Sequence, residues 1–179
     1  MAPALTSPRQ IAVTEHDSVD KTRAAALRLL TQRPRSVLEL KERLSQRFPT
    51  NAVDEVVSAL ATTSLLDDEA FARWWTESRT GSRPMSASMI ARELAQKGID
   101  GETVAVAIAE VDDAANARTL ARKAVRSIPT DRYDRFARRL LGRLARRGYS
   151  STVCRSIVQE AWSEVRGEAE GSGEDGSGL

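Results

Sequence analysis

The sequence predicts an all-α protein, an elongated, curved array of three tandem three-helix repeats. Three observations predict it. No segment sustains the period-2 alternation of a half-buried strand, while apolar residues recur at helical spacing through most of the chain. Prolines punctuate that pattern at Pro34, Pro84 and Pro129; each ends the helix before it and lets the next begin afresh. The apolar positions realign at intervals of about 50 residues, Leu40 and Leu44 with Ile90 and Leu94, and these with Leu140 and Leu144. A single rounded bundle of nine helices is the alternative arrangement.

The elements follow in order. Residues 1–17 are expected to form a flexible leader, without the basic start and apolar block of a secretory signal. The first repeat spans 18–64. Its RPRS motif places Ser36 to cap a helix, and Glu39 three residues later completes a capping box. Leu40 and Leu44 are its core positions. After the basic Arg47, the residues Val53, Val56, Val57 and Leu60 make the stripe of a helix buried on one side.

The second repeat, 65–111, opens with LLDDEAFARWWTESR. Asp67 is placed to cap this helix, with Asp68 and Glu69 in the first turn, where the helix dipole favours negative charge. Phe71, Trp74 and Trp75 share one face and are read as core; stacking on nucleic-acid bases is the functional alternative. Arg73 and Arg79 are expected to point away from that face. RPMS repeats the cap with Ser86, Leu94 is core, and Lys97-Gly98 stops the helix as a left-handed glycine does. Asp100 caps the next helix, whose stripe is Val104, Ala107, Ile108 and Val111.

The third repeat, 112–166, begins at another acid pair, Asp112-Asp113. Pro129 and Thr130 are expected to set and cap its middle helix, with Leu140 and Leu144 as core and Arg147-Gly148 as the stop. Cys154, Ile157, Val158 and Ala161 complete the repeat. The first repeat departs from this scheme by carrying Phe48 where the others have glycine. Residues 167–179, GEAEGSGEDGSGL, are too polar to offset their ordering entropy and are expected to be a disordered acidic tail.

A net charge of +2 conceals a strong asymmetry, basic from Asp112 to Tyr149 and acidic after Arg166. On a helix, Arg132, Arg135, Arg139, Arg143 and Arg146 fall within a sector of roughly 80°. The planar guanidinium fork suits carboxylate or phosphate, so this ridge is the first candidate partner-binding surface, against the plain reading of a solvated face. A weaker candidate patch is Arg73, Arg79, Arg83, Arg92 and Lys97.

Other chemistry is poorly served. One histidine, His16, and one cysteine, Cys154, cannot build a usual zinc site. A lone cysteine forms no internal disulfide, which fits a reducing cytoplasm. No apolar run approaches the roughly 18 residues of a membrane span, and no glycine-rich phosphate loop occurs. The Asp-Asp pairs look like catalytic carboxylates, but capping explains them. No enzymatic activity, cofactor, metal or membrane association is expected. With no surplus apolar helix, the chain is expected to be a monomer.

LLDDEAFARWWTESR resembles the signature of the RecX family, bacterial regulators of the RecA recombinase, through Leu66, Asp67, Asp68, Phe71, Ala72 and Arg79. Leu94, Lys97, Gly98 and Ile99 resemble a second family run, and Arg35, Ser36, Glu39, Leu40, Arg43 and Leu44 a third. The resemblance covers about residues 20–165. It implies three tandem three-helix repeats that bind the RecA filament on single-stranded DNA along its helical groove. It also implies suppression of ATP hydrolysis, strand exchange and LexA cleavage, or a limit on filament growth. The arginine ridge would then meet acidic RecA surface or DNA phosphate, which leaves open weak direct binding to DNA. The rival reading is a helix-turn-helix-type regulator that reads duplex DNA without RecA.

Overall fold

The computed structural model describes the backbone of residues 8–81 and 84–171, with side chains over 16–81 and 84–167. The described residues form nine helices and no strand. In chain order they are α1 (Pro8–Gln32), α2 (Val37–Ser45), α3 (Thr50–Thr62), α4 (Asp68–Gly81), α5 (Ala87–Gln96), α6 (Gly101–Ile108), α7 (Asp113–Val125), α8 (Tyr133–Ala145) and α9 (Ser151–Gly171). They fall into three trios. Two boundaries differ from expectation: α1 starts inside the stretch read as a leader, and α9 continues past Arg166. The remainder of the expected leader and tail lies outside the described residues, as does Arg83.

The chain divides into two compact units, Met1–Trp74 with Leu94–Val104, and Trp75–Glu93 with Ala105–Leu179. The first holds a core of Val19 and Ala26 from α1, Leu40 and Leu44 from α2, and Ala52, Val53, Val56, Val57 and Leu60 from α3. Leu66 closes it. Each fully buried Leu or Val contributes about 1.5–3 kcal/mol relative to exposure, so spacing alone selects the inward face of each helix.

The second unit repeats the scheme with Ala117, Ala121 and Ala124 of α7, Phe136, Leu140 and Leu144 of α8, and Cys154, Ile157, Val158 and Ala161 of α9. The three alanines let α7 approach closely. Trp162 lies 5.2 Å from the Phe136 ring and 5.5 Å from that of Tyr133, so α9 runs back along α8 towards its first turn. Cys154 is buried, its thiol directed at the Tyr149 carbonyl at 3.5 Å; burial pushes its pKa up.

Prolines and serines start the middle helices as expected in the first two trios. Ser36 accepts from the Glu39 amide at 3.1 Å, and Ser86 from the Met89 amide at 3.2 Å. Only half of the expected capping box forms. The Glu39 carboxylate turns to Arg33, Arg35 and Lys97, because three cations attract it more strongly than one backbone N–H. In the third trio Thr130 is not the cap: the N-cap lies two residues further on, at Arg132, which makes no side-chain capping bond.

The Asp-Asp pairs do two different jobs. Asp67 caps its own helix, accepting from the amides of Glu69 (2.8 Å) and Ala70 (3.0 Å). Asp112 does the same for Ala114 and Ala115. The second acid of each pair reaches back to the preceding trio. Asp68 accepts from Val37 N at 2.9 Å, and Asp113 from Ala87 N at 2.8 Å, both at the start of a middle helix. Asp100 caps α6 through the amides of Glu102 and Thr103.

The glycine stops complete the same joints. Gly98 and Gly148 have φ of +80° and +83°, which glycine adopts without strain. Gly98 abuts Leu38, and Gly148 abuts Ser86 and Met89. Ser86 N also donates to Arg147 O, and Ser88 Oγ to Gly148 O. Phe48, at the equivalent place in the first trio, packs its side chain on the first core.

A Cβ at residue 98 would lie 2.8 Å from Leu38 Cβ, and one at 148 would lie 2.5 Å from Ser86 Oγ. Gly98→Ala and Gly148→Ala should each cost about 2 kcal/mol or more in urea unfolding. Gly142→Ala, in the interior of α8 with its nearest neighbour at 3.5 Å, should instead stabilise by about 0.5–1 kcal/mol. Burial raises the Asp68 pKa above its ordinary 3.8, outweighing the Val37 hydrogen bond. The native state then holds a proton that the unfolded state has lost, so this group's contribution to stability falls as pH rises from 3.8 through the raised value. Asp68→Asn keeps the acceptor and should remove that slope from pH-dependent melting.

Candidate partner-binding face

Helix α8 separates apolar and cationic faces sharply. Phe136, Leu140 and Leu144 are fully buried, while Arg132, Arg135, Arg138, Arg139 and Arg146 are exposed. The cationic side is not uniform. Arg132 lies 3.9 Å from Asp134 and Arg135 lies 3.5 Å from Asp131, with every partner more than half exposed; such pairs are weak and exchange readily. Arg138, Arg139 and Arg146 have no acid within 4 Å among the described residues.

Arg143 stands apart from the ridge in which the sequence placed it. Its Nη1 donates to Ala124 O at 3.2 Å and to Ser127 Oγ at 3.0 Å. A guanidinium there satisfies a terminal carbonyl of α7 and the negative end of its dipole. The bond holds the last turn of α7, with Arg122, Lys123 and the C-cap Arg126, against α8. These three cations are exposed and add to the basic side of the trio. Sequence reasoning missed them because nothing in their spacing reveals which helix end Arg143 would tie down.

The second candidate patch does not assemble as one cationic surface. Arg73 is exposed beside Glu69 at 3.7 Å, one helical turn away. Arg79 does not point away from the tryptophans: its Cζ sits 4.1 Å over the Trp75 ring, and its Nε donates to Glu93 at 2.6 Å. Positions i and i+4 share a helix face, which explains the pairing. Trp75 Nε1 donates to the same Glu93 oxygen at 2.9 Å. Phe71 is buried, whereas Trp74 and Trp75 are only half-buried. One Trp75 face is covered by the chain's own Arg79, so the pair makes no open stacking platform. Arg92 is exposed. Lys97 lies 3.7 Å from Glu39, and Arg83 lies outside the described residues.

Lys97 belongs to a hub around Glu39, whose side chain is 16% exposed. Burial pushes the Glu39 pKa up, but the Arg33 hydrogen bond and the charges of Lys97, Arg33 and Arg35 hold it below its ordinary 4.5. This is a structural ion cluster. No group of three or more His, Cys, Asp or Glu able to hold a metal occurs among the described residues, and no described helix is long and apolar enough to cross a membrane.

Comparison with known proteins agrees with the trios. The family model described as "RecX, first three-helix domain" matches residues 23–60, and "RecX, second three-helix domain" matches 67–108. The chain is 37% identical over 164 residues to the regulatory protein RecX of Streptomyces coelicolor, covering 89% of this chain and 87% of that one. It is 36% identical over 151 residues to its namesake in Thermobifida fusca, with 80% of each chain covered. Among solved structures, RecX from Lactobacillus salivarius superposes with TM-score 0.67 at 24% identity, covering 82% of this chain and 97% of that one. A second regulatory protein RecX gives TM-score 0.71 at 23% identity, over 88% and 81%. These two share the fold.

Two arginines of α8 should behave oppositely on truncation. Arg143→Ala removes a charged donor from two acceptors and should cost about 1–2 kcal/mol in thermal unfolding. Arg139→Ala, exposed and unpaired, should stay within about 0.5 kcal/mol of wild type.

Proposed function

The chain belongs to the RecX family, and on that premise we propose that it is a negative regulator of the RecA recombinase. It binds the RecA filament on single-stranded DNA, along the helical groove. There it suppresses ATP hydrolysis, strand exchange and LexA cleavage, or limits filament growth. The observation that carries this reading is the cationic face of α8, with Arg139 and Arg146 exposed and free of acidic neighbours among the described residues. Arginine offers a fixed fork to a carboxylate or a phosphate, and the filament presents both.

The mechanism is mechanical. Asp68 and Asp113 tie each trio to the one before it. Bridging neighbouring protomers would oppose the rearrangements that accompany ATP turnover. Occupying the groove would exclude LexA and incoming duplex. The described side chains supply no reacting group; ATP would be hydrolysed by RecA.

The test is to assemble RecA on single-stranded DNA with ATP, titrate in the protein, and follow ATP hydrolysis and co-sedimentation. Hydrolysis should fall as the protein sediments with the filament. An Arg139→Ala/Arg146→Ala double variant, which spares the structural Arg143, should bind about tenfold more weakly, roughly 1.4 kcal/mol. Undiminished inhibition by that variant would remove α8 from the contact. If the face meets single-strand phosphate, each lost contact should lower the log–log salt slope by about 0.7. Sequence-specific binding to duplex DNA without RecA would favour the helix-turn-helix reading instead.

A further inference from the structure

We infer that the groove between α8 and α9 receives a protein segment, an acidic stretch whose large apolar side chain sits over Gly142 and whose carboxylates meet Arg138, Arg146 and Arg155. That the segment belongs to RecA rests on the function proposed above; the chemistry of the groove does not. The groove has a volume of about 500 Å³, and Leu141, Gly142 and Ala145 of α8 line it together with Tyr149 and Cys154. Arg155 of α9 lines it as well and is exposed. Arg138 lies on the same stripe of α8, three and four residues before Leu141 and Gly142. Arg146 Nη1 comes within 3.5 Å of where a Gly142 Cβ would stand. The ion pairs of this trio join Arg118 to Glu160, Arg132 to Asp134 and Arg135 to Asp131. Among the described residues, Arg138, Arg146 and Arg155 therefore have no acid within 4 Å.

The fold does not need this groove. A glycine inside a helix lowers stability relative to alanine, and nothing nearer than the Arg146 head would oppose a side chain at residue 142. At the 50-residue interval Gly142 stands where the earlier trios have Glu42 and Arg92, and Leu141 where they have Lys41 and Ala91. In the first trio Lys41 reaches from α2 to Asp54 of α3 at 2.7 Å. With Val53 aligned on Cys154, the corresponding pair in the third trio is Leu141 and Arg155, which cannot bridge and leaves the space between the helices open. Charge and shape then select the occupant. Arg138 and Arg146 are two helical turns apart, about 12 Å along the axis, too far for the carboxylate of one small molecule to meet both. A peptide with acids on either side of an apolar residue spans that distance. Nucleic acid would satisfy the arginines but would set phosphate and sugar on an apolar floor, where polar groups lose their hydration. Stacking of a base needs an open aromatic face, and Tyr149 is 5% exposed.

The experiment uses the full chain, with the RecA filament on single-stranded DNA as the probe. Gly142→Leu fills the groove from within, and Arg155→Ala removes one of its cations. Gly142→Leu should co-sediment about tenfold more weakly, with a melting temperature no lower than wild type. Arg155→Ala should co-sediment about threefold more weakly, with melting unchanged. A photoreactive benzoylphenylalanine in place of Ser151, which also lines the groove, should couple to a RecA segment in which Leu, Ile, Met or Phe is flanked by Asp or Glu. If wild type sediments with the filament and both variants do so equally well, the groove is overturned and the function stands. Weakened binding by Gly142→Leu with a lowered melting temperature, while Arg155→Ala binds as wild type, would also overturn it, as a structural effect only. Coupling to DNA, to a second copy of this chain or to a RecA segment without acids would overturn the assigned occupant, as would co-sedimentation with no coupling at all. A wild-type chain that never sediments with the filament would overturn the function and this occupant together.

Discussion

The fold depends on one requirement, that the first amides of the first two middle helices, α2 and α5, find acceptors. Helix geometry leaves four such donors at every N-terminus. Here a serine satisfies one from within the trio, and an aspartate from the next trio satisfies another, at Val37 and Ala87. The same joint holds a left-handed glycine close against the preceding trio, at Leu38 or at Ser86 and Met89. A carboxylate, a serine and a glycine thus converge on one helix start, and the apolar stripes fill in behind them. The direction of the series follows. The second trio supplies an acid and a glycine to the helix start of the first, and the third does so for the second.

Much of this was legible in the sequence, and for physical reasons. Period 3.6 marks the buried faces, so Leu40, Leu44, Leu94, Leu140 and Leu144 are recognisable without coordinates. Proline and serine mark helix starts, and glycine after a basic residue marks a stop. What could not be read was the division of labour inside each Asp-Asp pair. Capping explains one acid; the partner of the other lies 31 or 26 residues away in the chain. The recurrence of the pair at the head of the second and third trios was the available signal. A cap that serves its own helix needs only one acid. Thr130 misled because α8 takes Arg132, two residues further on, as its N-cap.

The charged residues show the same limit. A helical wheel places five arginines together but does not distinguish a guanidinium that ties two helices from one that waits for a partner. Arg143 is of the first kind because a helix terminus with open carbonyls lies within its reach. Arg79 is as well, because Trp75 and Glu93 flank it. Arg139 and Arg146 are exposed, with no acid beside them among the described residues. The candidate face is therefore what remains of the cationic pattern after the fold has taken the cations it needs. The relatives in Streptomyces and Thermobifida align over most of this chain.

The single sulfhydryl, Cys154, has a consequence of its own. It sits inside the third core, directed at a main-chain oxygen, in surroundings that disfavour the thiolate. Thiolate is the form that oxidants and alkylating reagents attack, so this position should stay chemically silent while the trio is folded. A reporter dye attached through a cysteine introduced on the surface would then label one place only, and reactivity at the native position would sense local opening of the third trio.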